Sequence, residues 1–193
     1  MVQFYKVILF ISILLSSHVF AFSELHFIKV KNGCIGCDVI DLDLSGADLS
    51  NKDFTGVNLT GSELKGVDFS KSVLVSSNFT NTDLSGAKLE GVNLTGVNFT
   101  NSEMYGLDLV NINLTDANLT DVNLSGSSLF AANLTRANLT RANLSNVNLF
   151  GANLTGANLT GANLTGADLF GIKTDDVILC NTLMFGGVNN SGC

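Results

Sequence analysis

The feature that most restricts the fold of this chain is a large apolar residue at every fifth position from Leu44 to Leu169. All 26 of these positions carry Leu, Phe or Met, and no insertion shifts the register. The residue two positions earlier is usually small, and the residue between them is usually Asn or Asp. A short and unbroken period predicts an architecture in which each repeat packs only against its neighbours.

A five-residue period does not suit an amphipathic helix, because five residues advance about 500° and the apolar side chains would spiral around the axis. In an extended chain, the small residue and the large one lie two apart and both face inward, while the Asn between them faces out. The remaining pair, often Ser or Thr followed by Gly, predicts a turn whose second residue has a positive φ. One strand and one corner per repeat predict an all-β solenoid whose coils stack about 4.8 Å apart.

The segment Ala152-Asn153-Leu154-Thr155-Gly156 and its near-copies through Gly166 resemble the repeats of pentapeptide-repeat proteins. The resemblance covers about residues 34–169 and is specific, because tandem Ala-Asn-Leu motifs have few competitors. It implies a right-handed quadrilateral β-helix with four repeats, and so 20 residues, in each coil. Twenty-six repeats then give about 6.5 coils and a rod about 31 Å long.

The N-terminus is typical of a signal peptide, with a charged n-region, an apolar run at 7–15 and a small-residue cleavage site at Val19-Phe20-Ala21. We therefore expect export to the periplasm or the extracellular space, and no membrane span after cleavage. A retained N-terminal anchor is the alternative. The predicted organisation is a signal peptide at 1–21, an N-terminal cap at 22–37, the solenoid at 38–171 and a C-terminal cap at 172–193.

Four cysteines lie close to the two predicted ends of the solenoid, and four cysteines allow three pairings. Two of these pairings would join opposite ends of the rod, whereas a disulfide spans only about 4.4–6.8 Å between Cα atoms. The remaining pairing joins Cys34 to Cys37 and Cys180 to Cys193, and export permits both bonds. A redox dithiol at Cys34-Ile35-Gly36-Cys37 is the alternative, but both cysteines fall on inward positions, which favours a structural role. These ends resemble an exported bacterial subset of the family with Cys-containing caps.

Outward residues that lie 20 apart would stack in columns on a 20-residue coil. Within the repeats, Phe occurs at one outward corner position only, and it recurs there every 20 residues, which supports four faces independently of the family. An exposed apolar column usually marks an interaction site. The alternative is that neighbouring Asn side chains and the C-terminal tail cover it. This aromatic column consists of Val110, Phe130, Phe150 and Phe170.

Two further columns are polar. The acidic column consists of Asp43, Glu63, Asp83 and Glu103. Its like charges would be relieved by a cation or a basic partner, although a solvated face with splayed side chains is the favoured interpretation. The second column repeats Asn from Asn58 to Asn158 beside Thr from Thr60 to Thr160. This array would either order water, as an ice-binding face does, or satisfy its own hydrogen bonds.

Charge and motifs exclude several classes of function. The net charge is −7, with 17 acidic and 10 basic residues, which argues against nucleic-acid binding. Of the acids, 13 lie between Asp38 and Asp121, and none lies at 122–167. The sequence has no Ser/His/Asp set, no phosphate-binding Gly loop and no long loop that would shape a pocket, so we expect no enzyme and no cofactor. We also expect no metal site, because the two Cys pairs lie at opposite ends.

The predicted function is that of an exported structural or protein-binding module with an unidentified protein partner. The first alternative is a DNA-mimic that inhibits or protects a topoisomerase, which is the known role of some members of the resembling family. Export would separate such a protein from DNA. The second alternative is an ice-binding or cation-binding face.

Overall fold

The computed structural model describes residues 33–193, so the predicted signal peptide and most of the predicted N-terminal cap lie outside the described residues. The described chain is a right-handed quadrilateral β-helix. Parallel β-bridges join residues that are 20 apart, from Gly33 with Asp53 to Asn163 with Leu183, which confirms the predicted coil. Residues 33–193 contain no helix, and hence none long and apolar enough to cross a bilayer.

The coil has four faces, which are numbered here by the outward residue at the centre of each. Face 1 holds residue 33 and every twentieth residue after it, and faces 2, 3 and 4 begin in the same way at residues 38, 43 and 48. On every face the outward residue donates its N–H to the preceding coil and accepts a bond from it, as Asn58 does with Cys37 and Val39 at 2.8 and 2.7 Å. Backbone pairing therefore runs continuously along the rod.

The corners are turns of one kind. Every fifth residue from Gly36 to Gly186 has a positive φ, including Arg136 at 58° and Ala131 at 54°. Most of these turns are closed by a hydrogen bond across four residues, such as the 3.0 Å bond from Ala47 N–H to the Leu44 carbonyl. A positive φ at the third residue is the type II pattern, which confirms the predicted turn. Because Asp, Asn and Arg also occupy this position, the corners can carry charge.

The interior is formed by the two inward positions of each repeat. The Leu-type position and the small position are buried through almost the whole rod, and Phe54, Phe69, Phe79 and Phe99 form an aromatic cluster with ring centroids 5.0–5.8 Å apart. Several small positions carry a hydroxyl, and each hydroxyl is bonded. Ser62, for example, donates to the Val39 carbonyl at 2.9 Å and accepts from Leu42 N–H at 3.1 Å.

The backbone ladder extends beyond the predicted solenoid at both ends. It begins at Gly33 and ends at Leu183, which is seven and a half steps of 20 residues, about one coil more than predicted. The predicted C-terminal cap at 172–193 thus contains most of a further coil. The apolar repeat did not predict these ends, because Cys34 and Thr174 replace Leu at the Leu-type position there. Backbone pairing does not depend on the side chain, so the ladder continues past the last Leu of the repeat.

The C-terminal cap is a hairpin followed by a short tail. Strand β1, Thr182–Met184, pairs antiparallel with strand β2, Gly187–Asn189. The tail then folds under face 2, where Leu179 N–H donates to the Ser191 carbonyl at 2.8 Å. A disulfide fixes it there, joining Cys180 to Cys193 with a Cα–Cα distance of 4.8 Å.

The second disulfide lies in the first coil. It joins Cys34 to Cys37, whose Cα atoms are 5.8 Å apart, so both predicted pairs are confirmed. Both sulfurs are half-buried against the first rungs of the core. The bond packs against the first described rungs of the apolar interior, a position that favours a structural role.

Candidate interaction surfaces

The aromatic column lies at the corner between face 4 and face 1. The rings of Phe130 and Phe150 stack with centroids 5.4 Å apart and planes 9° apart, and those of Phe150 and Phe170 with centroids 5.3 Å apart and planes 27° apart. The exposed fractions are 40%, 38% and 72% along the column, and Val110 continues it at 43%. The coil spacing thus arranges four apolar side chains as one exposed ridge.

The backbone N–H groups of the last two rings are bonded to side chains two residues earlier. The Asn148 side chain accepts a 3.0 Å hydrogen bond from the Phe150 N–H, and Asp168 does the same for Phe170. On the other side the turn residues are small, with Ala131 and Gly151 beside the rings. The C-terminal tail does not cover the column, because it is bonded to face 2, on the far side of face 1. The ridge is therefore open to solvent in the described chain.

The acidic column is assembled as predicted, since its four residues are bridged in succession on face 3. Three of its carboxylates have partners. Ser45 N–H donates to Asp43, Lys65 forms a 3.2 Å ion pair with Asp83, and the Asn123 amide donates to Glu103 at 2.7 Å. No group of three potential metal ligands occurs within residues 33–193. The column is thus partly neutralised by the chain itself.

These partners also set the titration of the column. Hydrogen bonds from Ser45 lower the pKa of Asp43. Partial burial opposes ionisation of Asp83, but hydrogen bonds from Ser85 together with the nearby Lys65 ammonium lower its pKa overall. The same contact raises the pKa of Lys65, through its hydrogen bond and ion pair with Asp83. A basic partner would have to displace Lys65 before it could use Asp83.

The Asn and Thr columns form a closed hydrogen-bond chain. Thr80 Oγ1 donates to Asn78 Oδ1 at 2.6 Å and accepts from the Asn98 amide at 3.1 Å, and this link repeats from Asn58 to Thr140 on face 2. A similar chain runs along face 1 from Asn93 to Thr155. Because the hydroxyls within both chains, from Thr60 to Thr120 and from Thr95 to Thr135, each donate one bond and accept another, this part of the array largely satisfies its own bonds.

None of the four ion pairs within residues 33–193 was predicted from the sequence, and two of them are bidentate. The Arg136 guanidinium binds Asp116 through two contacts of 2.7 and 2.6 Å, and Arg141 binds Asp121 in the same bidentate way. Each pair lies at a corner of face 2 and joins residues 20 apart. Opposite charges at a spacing of 20 were the signal that would have revealed them. These contacts lower the pKa of Asp116 and Asp121 through hydrogen bonding and charge.

A rod of stacked coils, with outward side chains arranged in columns, defines a β-solenoid. The family model for pentapeptide repeats matches in eight copies, over 37–74, 77–116, 108–146, 117–156 and 132–171. The chain belongs to the pentapeptide-repeat family. Proteins of this family are generally non-catalytic structural or binding modules.

Several solved structures are similar to this chain. HetL, a pentapeptide-repeat protein involved in heterocyst differentiation regulation in the cyanobacterium Nostoc sp. strain PCC 7120, is 24% identical over 85% of this chain and 96% of its own, with a TM-score of 0.45. A trypsin-treated variant of QnrB1, a plasmid-mediated fluoroquinolone resistance protein, is 15% identical over 82% and 89%, with a TM-score of 0.42. Rfr23 from the cyanobacterium Cyanothece 51142 is 24% identical over 81% and 97%, with a TM-score of 0.31. The sequence identities and TM-scores are low, so nothing about the function of this chain follows from these similarities. No curated protein matches the chain.

Proposed function

We propose that this protein is an exported, non-enzymatic solenoid that binds another protein along its aromatic column. The observation that carries the proposal is the exposed stack of Phe130, Phe150 and Phe170, with centroids 5.3–5.4 Å apart. The Asn and Thr columns of faces 1 and 2, in contrast, are polar and largely bonded to themselves. Other exposed apolar residues, such as Tyr105 and Phe185, are not stacked on one another, whereas the ridge joins its apolar side chains into one surface.

The geometry of the ridge favours a folded protein as the partner. Phe150 lies between two stacked rings and presents mainly its edge to solvent, and Phe170, 72% exposed, has one stacked neighbour and one open face at the end of the column. A sugar would stack on such an open face at the end of the column, whereas an apolar groove of a protein accommodates the ring edges and the ridge as a whole. Aromatic side chains held in one conformation lose little entropy on binding, and they commonly carry most of the affinity of an interface.

The export part of the proposal rests on the N-terminal apolar run and on the two disulfides, which persist in oxidising compartments. Cell fractionation with N-terminal sequencing of the protein tests it. We expect the protein outside the cytoplasm, with a new N-terminus near Phe22. A cytoplasmic protein with an intact N-terminus would contradict export while leaving the binding surface open to test.

The binding part is tested with Phe150→Asp, which places a charge in the middle of the ridge. Ser145→Asp is the matched control, because it adds the same charge to the same coil one corner away and its hydroxyl makes no hydrogen bond within residues 33–193. The immobilised chain from Phe22 to Cys193 is incubated with an extract of the cell envelope, and the retained proteins are identified by mass spectrometry.

We expect wild type and Ser145→Asp to retain the same partner and Phe150→Asp to lose it. With the purified partner, the affinity of Phe150→Asp should fall at least about tenfold, as for a buried aromatic contact. Circular dichroism should show equal folding for all three proteins. Identical partners at equal affinity for Phe150→Asp and wild type would rule out the aromatic column.

A further inference from the structure

The last coil leaves half of its edge open. On faces 4 and 1, the N–H groups of Leu169, Gly171, Thr174 and Asp176 have no hydrogen-bond acceptor within residues 33–193. In the preceding coil the equivalent groups of Leu149, Gly151 and Leu154 donate to the last coil at 2.9 Å. The carbonyls of Ala167 and Ile172 also lack a donor in the described chain. Unpaired donors and acceptors at this spacing form the edge of a β-sheet.

The core is uncovered at the same place. Leu149 and Ala152 of the preceding coil are completely buried, at 0% exposure. Their equivalents one coil later, Leu169 and Ile172, are only half-buried although they occupy the same inward positions. The open edge therefore combines a row of backbone hydrogen-bonding groups with apolar side chains that one more strand would cover.

The C-terminal cap does not reach this edge. The chain leaves the coil path at Phe185 and returns antiparallel, so that β2 lies beneath face 3. The tail then crosses face 2, where the disulfide holds Cys193 beside Cys180. Faces 3 and 2 of the last coil are covered in this way, and faces 4 and 1 are not.

The charges along the open edge have counterparts inside the rod. Asp68 occupies the same column as Asp168 and forms a 3.3 Å ion pair with Lys88 of the next coil. Asp116 occupies the same column as Asp176 and forms an ion pair with Arg136 of the next coil. In the last coil, Asp168 and Asp176 occupy the positions of the acidic members of these two pairs.

We propose that the open edge on faces 4 and 1 binds a segment of another polypeptide, which adds one parallel strand to each face and turns the corner between them as each coil of the rod does. The backbone of the segment supplies the acceptors for the four open N–H groups, and its apolar side chains cover Leu169 and Ile172. Basic residues eight positions apart on the segment pair with Asp168 and Asp176. Strand addition to a sheet edge is an established mode of peptide recognition. The open edge meets the aromatic column at its last ring, Phe170, and extends from there along faces 4 and 1, whereas Phe130 and Phe150 lie in earlier coils.

A peptide with a sequence taken from the rod itself serves as the probe. It copies residues 147–156, the rung that precedes the open edge, with the changes Asn148→Lys and Gly156→Arg and a fluorescent label at its N-terminus. A second peptide carries Asn148→Glu and Gly156→Glu instead. Fluorescence anisotropy measures the binding of each to the chain from Phe22 to Cys193. We expect the basic peptide to bind and the acidic peptide to bind at least about tenfold more weakly.

Thr174→Pro blocks the edge without disturbing the core. Thr174 is exposed, its N–H is one of the four open donors, and its carbonyl is the acceptor of the turn bond from Val177. Proline removes that N–H and is tolerated on an edge strand whose N–H side faces solvent. Thr174→Val, which keeps the N–H and removes only the hydroxyl, is the matched control. The basic peptide should bind Thr174→Val as it binds wild type and should bind Thr174→Pro at least about tenfold more weakly.

Amide hydrogen exchange read by NMR provides the second measurement. On adding the basic peptide, exchange at Leu169, Gly171, Thr174 and Asp176 should slow, while exchange along the aromatic column at Phe130 should not change. Equal binding of the peptide to wild type and Thr174→Pro would overturn the proposal, and so would unchanged exchange at the four amides. A wild-type dimer that Thr174→Pro converts to a monomer, as measured by sedimentation, would also overturn it, because a second copy would then occupy the edge.

Discussion

Residues 38–121 and residues 122–167 share one backbone and differ in almost everything attached to it. Both segments repeat the same turn and the same 20-residue bridge. The first segment contains 13 of the 17 acidic residues, whereas the second contains none. The first also holds the whole buried aromatic cluster, whereas the second exposes Phe130 and Phe150. The comparison shows that backbone pairing and turn chemistry set the coil geometry. The outward side chains, and the sizes of the inward ones, can then differ between segments without changing the coil.

The interiors of the two segments are packed in different ways. In the first segment, large Phe side chains are accompanied by inward serines, and the Ser77 and Ser102 hydroxyls donate to the carbonyls of Phe54 and Phe79. In the second segment, most rungs repeat Leu with Ala or Val, and Ser127 is the one inward hydroxyl. Nearly identical rungs pack equally well after a shift of five residues, so a uniform segment specifies its register weakly. The first segment has an interior that fits only one register.

The largest expected difference between the two segments comes from truncating the core. Phe79 and Leu139 occupy the same inward column, and both are completely buried. Phe79→Ala should lower the free energy of unfolding by about 4 kcal/mol and Leu139→Ala by about 3 kcal/mol, because the larger ring leaves the larger cavity. Urea denaturation followed by circular dichroism measures both. Equal losses would show that the aromatic cluster stabilises the rod no more than a Leu rung does.

The next largest effect concerns the buried hydroxyls. Ser62→Ala removes the donor to the Val39 carbonyl and the acceptor of the Leu42 N–H, and so should cost about 1–3 kcal/mol of unfolding free energy. Ala142 lies in the same inward column of the second segment, and Ala142→Ser should change stability by less than about 0.5 kcal/mol, since the Leu119 carbonyl can accept the new hydroxyl beside its bond from Val122 N–H. The same urea experiment decides. A cost for Ser62→Ala as small as the change for Ala142→Ser would show that these hydroxyls are incidental.

The sequence predicted the parts of this structure that depend on period. The five-residue repeat predicted the coil, the turn and the inward positions, and the spacing of 20 placed Phe130 above Phe150 and Glu63 above Asp83. Period predicts these features because each is set by local geometry that every repeat shares.

The features that the sequence did not predict depend on single contacts. The bidentate pair of Arg136 with Asp116 joins two residues of one column, so finding it requires the charges of each column to be compared one by one. The bond from Lys65 to Asp83 joins two different columns, which the spacing of 20 does not show. The last part of the ladder was not predicted, because Thr174 interrupts the apolar repeat while the backbone pairing continues. The open edge follows from the path of the hairpin after Met184, which no repeat pattern encodes.

The smallest expected difference between the segments is in their response to acid. All seven carboxyl groups whose pKa is clearly lowered lie in the first segment: Asp43, Asp48, Asp53, Asp68, Asp83, Asp116 and Asp121. Hydrogen bonds from a Ser or Thr two residues later are the main cause in most of them, and Arg136 and Arg141 are the main cause in the last two. The second segment has no acidic residue at all.

A carboxyl group whose pKa is lower in the folded chain favours folding while it is ionised. Its contribution is therefore fully present above the ordinary value of 3.8 and is lost as the pH falls below 3.8 towards the folded pKa. Each contribution is small because these groups are exposed to solvent and salt. NMR spectra recorded from pH about 6 to about 2.5 should show amide signals of 38–121 weakening at a higher pH than those of 122–167. Loss of both sets at the same pH would mean that the two segments unfold as one unit. Protonation of the acidic residues at 38–121 would then also unfold residues 122–167, through the coil that the two segments share near residue 121.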